Sequence, residues 1–523
     1  MRAYSDKRLI NTLSTMCTHI LHKELKITTF SLIAATVNLV LYYWPFWGFV
    51  NENVDCHSLN GIVIISSLGA LVLIANAWIY YLIASLSRIV SKIWISLTFL
   101  LNAIAVYFIN TYHIVIDKIM MGNVFNTNYS EASGFLSFKI LFYIVFLGIL
   151  PAALVCLIKT RQETVRRRLL TNFGALLFIV VLSFANVSNW LWIDKHSTKL
   201  GALTMPWSYI VNTARFYIHK HQENTKEILL PDATVANNDK TIFVLVIGES
   251  ARSQNFSLYG YNKPTNPLLD TVPNLHCFRA DAYATYTTAS VKCILSHTET
   301  SDLYEILPNY LYRNGAEVIW RTSNWGEPPI HISHYQRLTD IASPNDSNAN
   351  YDETLLHGLK AQIEASDNHK ILVILHTSTS HGPQYYQKYP PRFETFKPAC
   401  KSVELSKCTH EELINAYDNT IVYTDYLLHC TIEMLRSMHD YKSAMLYVSD
   451  HGESLGEKNL YMHGMPLNIA PREQYEIPFI VWTSDSTQLK PAEKLTQHYV
   501  FHSVLHFLGF KSPIYNNALD IFE

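Results

Sequence analysis

A chain of 523 residues is too long for one ordinary domain. Its 41 basic side chains nearly balance its 43 acidic ones, and with a net charge of -2 and no basic stripe there is no footprint for nucleic acid as a partner. Eight cysteines in such a length exclude a disulfide scaffold, although an exported domain still permits single bridges.

In chain order, five apolar stretches come first, near 28–50, 61–86, 93–116, 136–158 and 169–193. Each is long enough to cross a bilayer, which takes about 20 residues of helix. Residues 1–193 therefore read as a five-helix transmembrane domain. The first stretch is too long for a signal peptide and lacks a small-residue cleavage site, so it stays in the protein. Lys7, Arg8, Lys23 and Lys26 precede the first span, Arg88 and Lys92 follow the second, and Lys159, Arg161, Arg166, Arg167 and Arg168 follow the fourth. Basic loops face the cytoplasm, so the N-terminus is expected inside and the C-terminal half outside. Residues 194–239 read as an interfacial helix, rich in Trp and Tyr around 204–211, followed by a polar linker.

From residue 240 to 523, apolar runs of strand length at 241–247, 317–321, 371–376, 444–448 and 477–483 alternate with longer helical segments such as 411–438. That order predicts an α/β domain, a largely parallel central sheet covered by helices on both faces. Sites in such sheets lie at the carboxyl ends of the strands. Those ends carry Glu249, Arg321 to Asn324, His376 with His381, and Ser449-Asp450-His451. Glu249, Asp450 and His451 together offer two carboxylates and an imidazole, a donor set suited to zinc. Taken singly, a Glu after a strand more often serves a helix N-terminus, and an Asp-His pair more often is a cap beside a surface histidine. Convergence of separate strand ends favours the metal.

The turn Thr285-Tyr286-Thr287-Thr288-Ala289-Ser290 supplies hydroxyls, one of which could act as a metal-activated nucleophile or simply cap a helix. His381 and His463 suit phosphate handling, whereas His376 reads as a packed residue. Cys400 and Cys408 would close a short loop by a disulfide. Cys17 and Cys156 read as plain thiols, and Cys277, Cys293 and Cys430 as small buried hydrophobes.

The run Val246-Ile247-Gly248-Glu249-Ser250-Ala251-Arg252-Ser253, the segment Thr287–Ser296, Ser380-His381-Gly382-Pro383 and Ser449-Asp450-His451-Gly452-Glu453-Ser454-Leu455-Gly456-Glu457 resemble motifs of the lipopolysaccharide phosphoethanolamine transferases. The resemblance implies an alkaline-phosphatase-like domain in the periplasm, anchored in the Gram-negative inner membrane and acting as a monomer. It also implies a zinc ion held by Glu249, Thr287, Asp450 and His451, with a second zinc able to enter during turnover. Thr287 would take phosphoethanolamine from phosphatidylethanolamine, release diacylglycerol and pass the group to lipid A, Kdo or inner-core sugar. By the same resemblance His381, His463 and Asn324 bind substrate. Thr288 is the rival nucleophile. Two departures stand out: Tyr283-Ala284-Thr285 replaces a Cys-Gly-Thr, removing the usual partner of Cys293, and Pro328 replaces a Lys. The Tyr286-Thr287-Thr288 wording is closer to members acting on Kdo or core sugar. Competing readings are a glycerol-phosphate transferase or sulfatase on the same fold, against which Thr287 speaks, and a non-catalytic lipid-binding sensor.

Overall fold

The computed structural model describes residues 24–127, 132, 134–186, 189–223, 227–342, 349–403, 405–485 and 487–523. Lys7, Arg8, Cys17 and Lys23 lie outside the described residues. One compact unit comprises the described residues up to Gly122 together with Leu136–Phe216, and a second comprises Asn123–Phe135 with Tyr217–Glu523.

In the first unit, Leu59–Leu86, Arg88–Tyr112, Phe138–Leu157 and Val165–Phe184 are each long and apolar enough to cross a membrane. The expected first span is instead two helices, Ile27–Tyr42 and Trp44–Asn53, bent by 65°. Pro45 sits in the first turn of the second helix, where its missing N–H is tolerated, but the same residue within a continuous helix would break the hydrogen-bond ladder. The fifth expected span is also shorter, running Val165–Ala185, so Trp190 to Ile193 belong to a separate helix, Trp190–Leu203.

The described basic segments gather at one end of this unit. Leu25 and Lys26 pair in parallel with Thr160 and Arg161, and Arg88 Nη1 donates to the Thr160 carbonyl at 2.6 Å. The aromatic segment after Leu203 is tied into the same bundle. The Met205 carbonyl accepts from Tyr43 OH at 2.6 Å and Asn38 Nδ2 at 3.1 Å, and Trp207 Nε1 donates to Asn76 Oδ1 at 2.9 Å.

The second unit is built on eight strands: β1 (Thr241–Gly248), β2 (Leu275–Asp281), β3 (Glu317–Thr322), β4 (His334–Arg337), β5 (Lys370–His376), β6 (Lys442–Ser449), β7 (Glu476–Thr483) and β8 (Leu495–Thr496). Their order across the sheet is β8-β2-β7-β6-β1-β5-β3-β4. Only β7 runs against its neighbours. Every residue of β1 and β5 is buried, as expected of central parallel strands covered on both faces.

One face packs Phe243, Leu245, Ile247, Leu446 and Val448 against α1 (Thr287–Leu295) and other helices through Val291, Tyr310 and Val504. On the opposite side lies α2 (His410–Arg436), which packs along β6. Thr409 starts α2 with a reciprocal cap, accepting from the Glu412 N–H while the Glu412 carboxylate accepts from the Thr409 N–H. Cys400 and Cys408 are joined by a disulfide. Cys293 is buried, but Cys277, on a strand most of whose residues are partly exposed, and Cys430 are only half-buried.

Candidate metal centre and nucleophile

The carboxyl ends of β1 and β6 are neighbours in register, Gly248 opposite Ser449, so the residues that follow them meet. After β1 the chain turns sharply at Ser250, whose φ of 54° lies in the left-handed region and costs about 1–2 kcal/mol for a non-glycine residue. Three contacts hold the turn. The Ser250 N–H donates to Asp450 Oδ1 at 3.0 Å, its hydroxyl donates to Glu249 Oε1 at 2.7 Å, and its carbonyl accepts from Tyr417 OH at 2.7 Å. After β6, Gly452 is required by close approach, since a Cβ there would stand 2.1 Å from the Glu473 carbonyl oxygen.

Four side chains from three chain segments then converge. His451 Nε2 is 3.3 Å from Asp450 Oδ2 and 3.5 Å from Glu249 Oε1. Thr287 Oγ1 is 3.3 Å from both Glu249 Oε2 and His451 Nε2. Zinc bonds of about 2.0–2.2 Å in a tetrahedron place ligand atoms about 3.3–3.6 Å apart, so these spacings fit such an ion. Two further observations agree. His451 Nδ1 lies 2.9 Å from the Gly452 carbonyl, which fixes the proton there and leaves Nε2 a free lone pair. Asp450 Oδ2 is buried without a hydrogen-bond partner.

The electrostatics point the same way. Burial, then the charge of Glu249, pushes the Asp450 carboxyl well above its usual range. Burial also opposes ionisation of Glu249, but His451, His381, His463 and the Asn324 amide outweigh it and hold that carboxyl well below its usual range. Burial and the neighbouring His463 lower His451 to about 4. Two carboxyls and an imidazole crowded together in this way suit a cation that would offset their charge.

Thr287 is the first residue of α1; the capping position belongs to Tyr286, and the Thr287 side chain points at Glu249 and His451 instead. No hydrogen bond from Thr288 reaches these groups. The loop after β3 closes the site from another side. A Cβ on Gly326 would lie 3.1 Å from Thr287 Cγ2, and φ at Gly326 is 105°.

Asn324 in the same loop donates its amide hydrogens to Glu249 Oε2 at 2.7 Å and to the Thr377 carbonyl at 2.9 Å. Its place is thus behind a ligand, with its donors committed to orienting that ligand. The His463 ring lies tilted 4.2 Å from that of His451 and edge-on 5.4 Å from that of His381, and it can join Glu249 and His451 around a cation. His376 is fully buried, edge-on to Trp320 at 5.9 Å.

Sequence reasoning missed Glu453, a fully buried carboxyl group 3.3 Å from His463 Nδ1 that orients this ring; burial raises it to about 8. Its signal was the position two residues after His451. It also missed β2, the strand that delivers Thr287 to the centre.

Residues 241–510 match the family model described as Sulfatase, and residues 72–221 match the one described as Phosphoethanolamine transferase EptA/EptB. The chain is 39% identical over 499 residues to phosphoethanolamine transferase EptA of Helicobacter pylori, covering 92% of this chain and 94% of that protein. It is 32% identical over 458 residues to phosphoethanolamine transferase EptA of Escherichia coli K12, covering 81% and 84%. Among solved structures, the integral membrane lipooligosaccharide phosphoethanolamine transferase A from Neisseria meningitidis has the same fold, with a TM-score of 0.87 at 24% identity over 96% of this chain and 99% of that one.

Proposed function

Because the chain belongs to the phosphoethanolamine transferase family, we propose that it moves phosphoethanolamine from phosphatidylethanolamine to a sugar phosphate or sugar hydroxyl of lipopolysaccharide. Anchored in the inner membrane with its N-terminus in the cytoplasm, it acts from the periplasmic side. The observation that carries this reading is the placement of Thr287 Oγ1 3.3 Å from Glu249 Oε2 and 3.3 Å from His451 Nε2, in a buried donor set that fits zinc.

Glu249, Asp450, His451 and Thr287 would hold the ion, which when bound lowers the pKa of the threonine hydroxyl and offsets charge on the phosphoryl oxygens. Thr287 Oγ attacks phosphorus, the bond from phosphorus to the glycerol oxygen breaks, and diacylglycerol leaves with a proton. His381 and His463, whose rings lie 5.4 Å apart beside the donor set, would give that oxygen its proton. The phosphoethanolamine then sits on Thr287 until an acceptor oxygen attacks the same phosphorus and frees the threonine, a two-step exchange. Being first in α1, Thr287 also lies beside the unpaired backbone N–H groups of that helix, which favour a phosphoryl anion.

The test is intact-mass spectrometry of the full-length protein after incubation with phosphatidylethanolamine and no acceptor. A phosphoethanolamine adduct should form on the unaltered protein and on Thr288→Ala, and not on Thr287→Ala. An adduct surviving on Thr287→Ala would refute the assignment. Mass spectrometry of lipid A and core fractions from cells with and without the gene separates the acceptors.

A further inference from the structure

Next to the metal centre, the chain makes a turn that presents apolar side chains to solvent. Leu467 is 49% exposed and Ile469 45%, although the flanking Met465 is buried. The turn is rigid. Both Ile469 and Ala470 donate their N–H to the Pro466 carbonyl at 2.9 Å, and Pro466 and Pro471 bracket it.

It is also fastened to the nucleophile's own segment. The Gly464 N–H donates to the Thr285 carbonyl at 2.8 Å, and Thr285 Oγ1 donates to the Met465 carbonyl at 2.6 Å. Thr285 stands two residues before Thr287, and His463 begins the same loop. On the far side of that fastening, Tyr283 is 40% exposed. Between Pro466 and Pro471 no residue is charged, and the first charge beyond is the exposed side chain of Arg472, whose Nε donates to the Glu473 carboxylate at 3.3 Å.

Single exposed aliphatic residues are ordinary on a protein surface. Two in one pinned, uncharged turn, with a cation at its edge, match the chemistry of an interfacial anchor, apolar groups reaching the acyl boundary and Arg meeting lipid phosphates. The chain also carries helices long and apolar enough to cross a membrane. We propose that Leu467 and Ile469 enter the acyl–headgroup boundary of the donor phospholipid leaflet, seating a phospholipid with its phosphate at Thr287. This rests on the phospholipid-donor reading given above and adds the surface that recognises the donor's apolar part.

The experiment uses the full-length protein in proteoliposomes and the double variant Leu467→Ser/Ile469→Ser, whose side chains are exposed and leave the core untouched. Two donors are compared, long-chain phosphatidylethanolamine in the bilayer and a short-chain form kept monomeric in solution. The variant should show about a tenfold higher KM for the bilayer donor with kcat unchanged, and less than about a twofold change with the monomeric donor. Equal losses on both donors, or no change on either, would overturn the proposal. An independent readout is photolysis with phosphatidylethanolamine carrying a diazirine in its acyl chain. Label on the tryptic peptide Asn459–Arg472 supports the contact; an unlabelled peptide, or one cross-linked to a second copy of the chain, refutes it. Should the unaltered protein transfer from neither donor, the donor reading fails on its own, and the photolabel still decides whether the turn touches lipid.

Discussion

Asn324 offers the sharpest test of how the centre is held. Its amide spans the ends of two neighbouring strands, reaching the Glu249 carboxylate at 2.7 Å and the Thr377 carbonyl at 2.9 Å. Asn324→Ala removes both bonds. The one to Glu249 is made to an ionised acceptor and is worth about 1.5–3 kcal/mol. At 1.4 kcal/mol per decade, that predicts zinc binding weakened about 10- to 100-fold, the range seen when a partner behind a metal ligand is removed. The assay is competition for zinc against a chromophoric chelator, with the full-length protein in detergent, alongside transfer rates at limiting and saturating zinc. The variant should lose zinc affinity, and saturating zinc should restore most of the rate. An unchanged zinc affinity together with a raised KM for phosphatidylethanolamine would refute the reasoning, because it would mean that the amide serves substrate and that its bond to Glu249 is incidental.

Three further outcomes follow from geometry. Stripping the protein with a strong chelator should abolish transfer and zinc should restore it; Glu249→Gln, which cannot donate a second anionic ligand, should not be rescued at the same zinc concentration, as read by headgroup transfer. Replacing Cys400 and Cys408 together by Ser should lower stability by about 2.5 kcal/mol from loop entropy alone for a separation of 8 residues, measured by denaturant melting with and without reductant. Asp520 accepts from Tyr515 OH at 2.6 Å, from the Phe522 N–H at 3.0 Å and from His506 Nδ1 at 2.5 Å. Burial opposes its charge, but these bonds outweigh burial and hold the carboxyl below the usual aspartate range. A depressed carboxyl stabilises the fold above its unfolded pKa and loses that contribution as pH falls, so Asp520→Asn should lower the melting temperature at pH 7 and converge with the unaltered protein below about pH 4. A gap independent of pH would refute the ionic part of this account.

How much of the site was legible depended on which strand carried each residue. β1, β5 and β6 are buried on both faces, so they read as unbroken apolar runs, and Glu249, Asp450 and His451 were found by looking one or two residues past their ends. β2 has the sequence Leu-His-Cys-Phe-Arg-Ala-Asp and pairs with the antiparallel β7, leaving most of its residues half-exposed. Neither periodicity nor hydropathy marks it, and Thr287 was reached only through its turn. The break at Tyr43 was written in Pro45, but its cost was masked by the apolar residues on either side.

The choice between Thr287 and Thr288 lay beyond composition altogether. Successive side chains on a helix diverge by about 100°, so one of two adjacent threonines at the start of α1 faces Glu249 and His451 while the other turns aside. That register is set by distant constraints. Besides the local bond from the Ser290 hydroxyl to the Ala284 carbonyl at 3.0 Å, Thr285 is fastened to Met465, and Gly326 lies so near the Thr287 methyl that an added Cβ would stand 3.1 Å from it. A threonine hydroxyl placed by three segments far apart in sequence is a property of the assembled sheet end, so moving the helix start by one residue would exchange the positions of the two threonines without altering the motif that contains them.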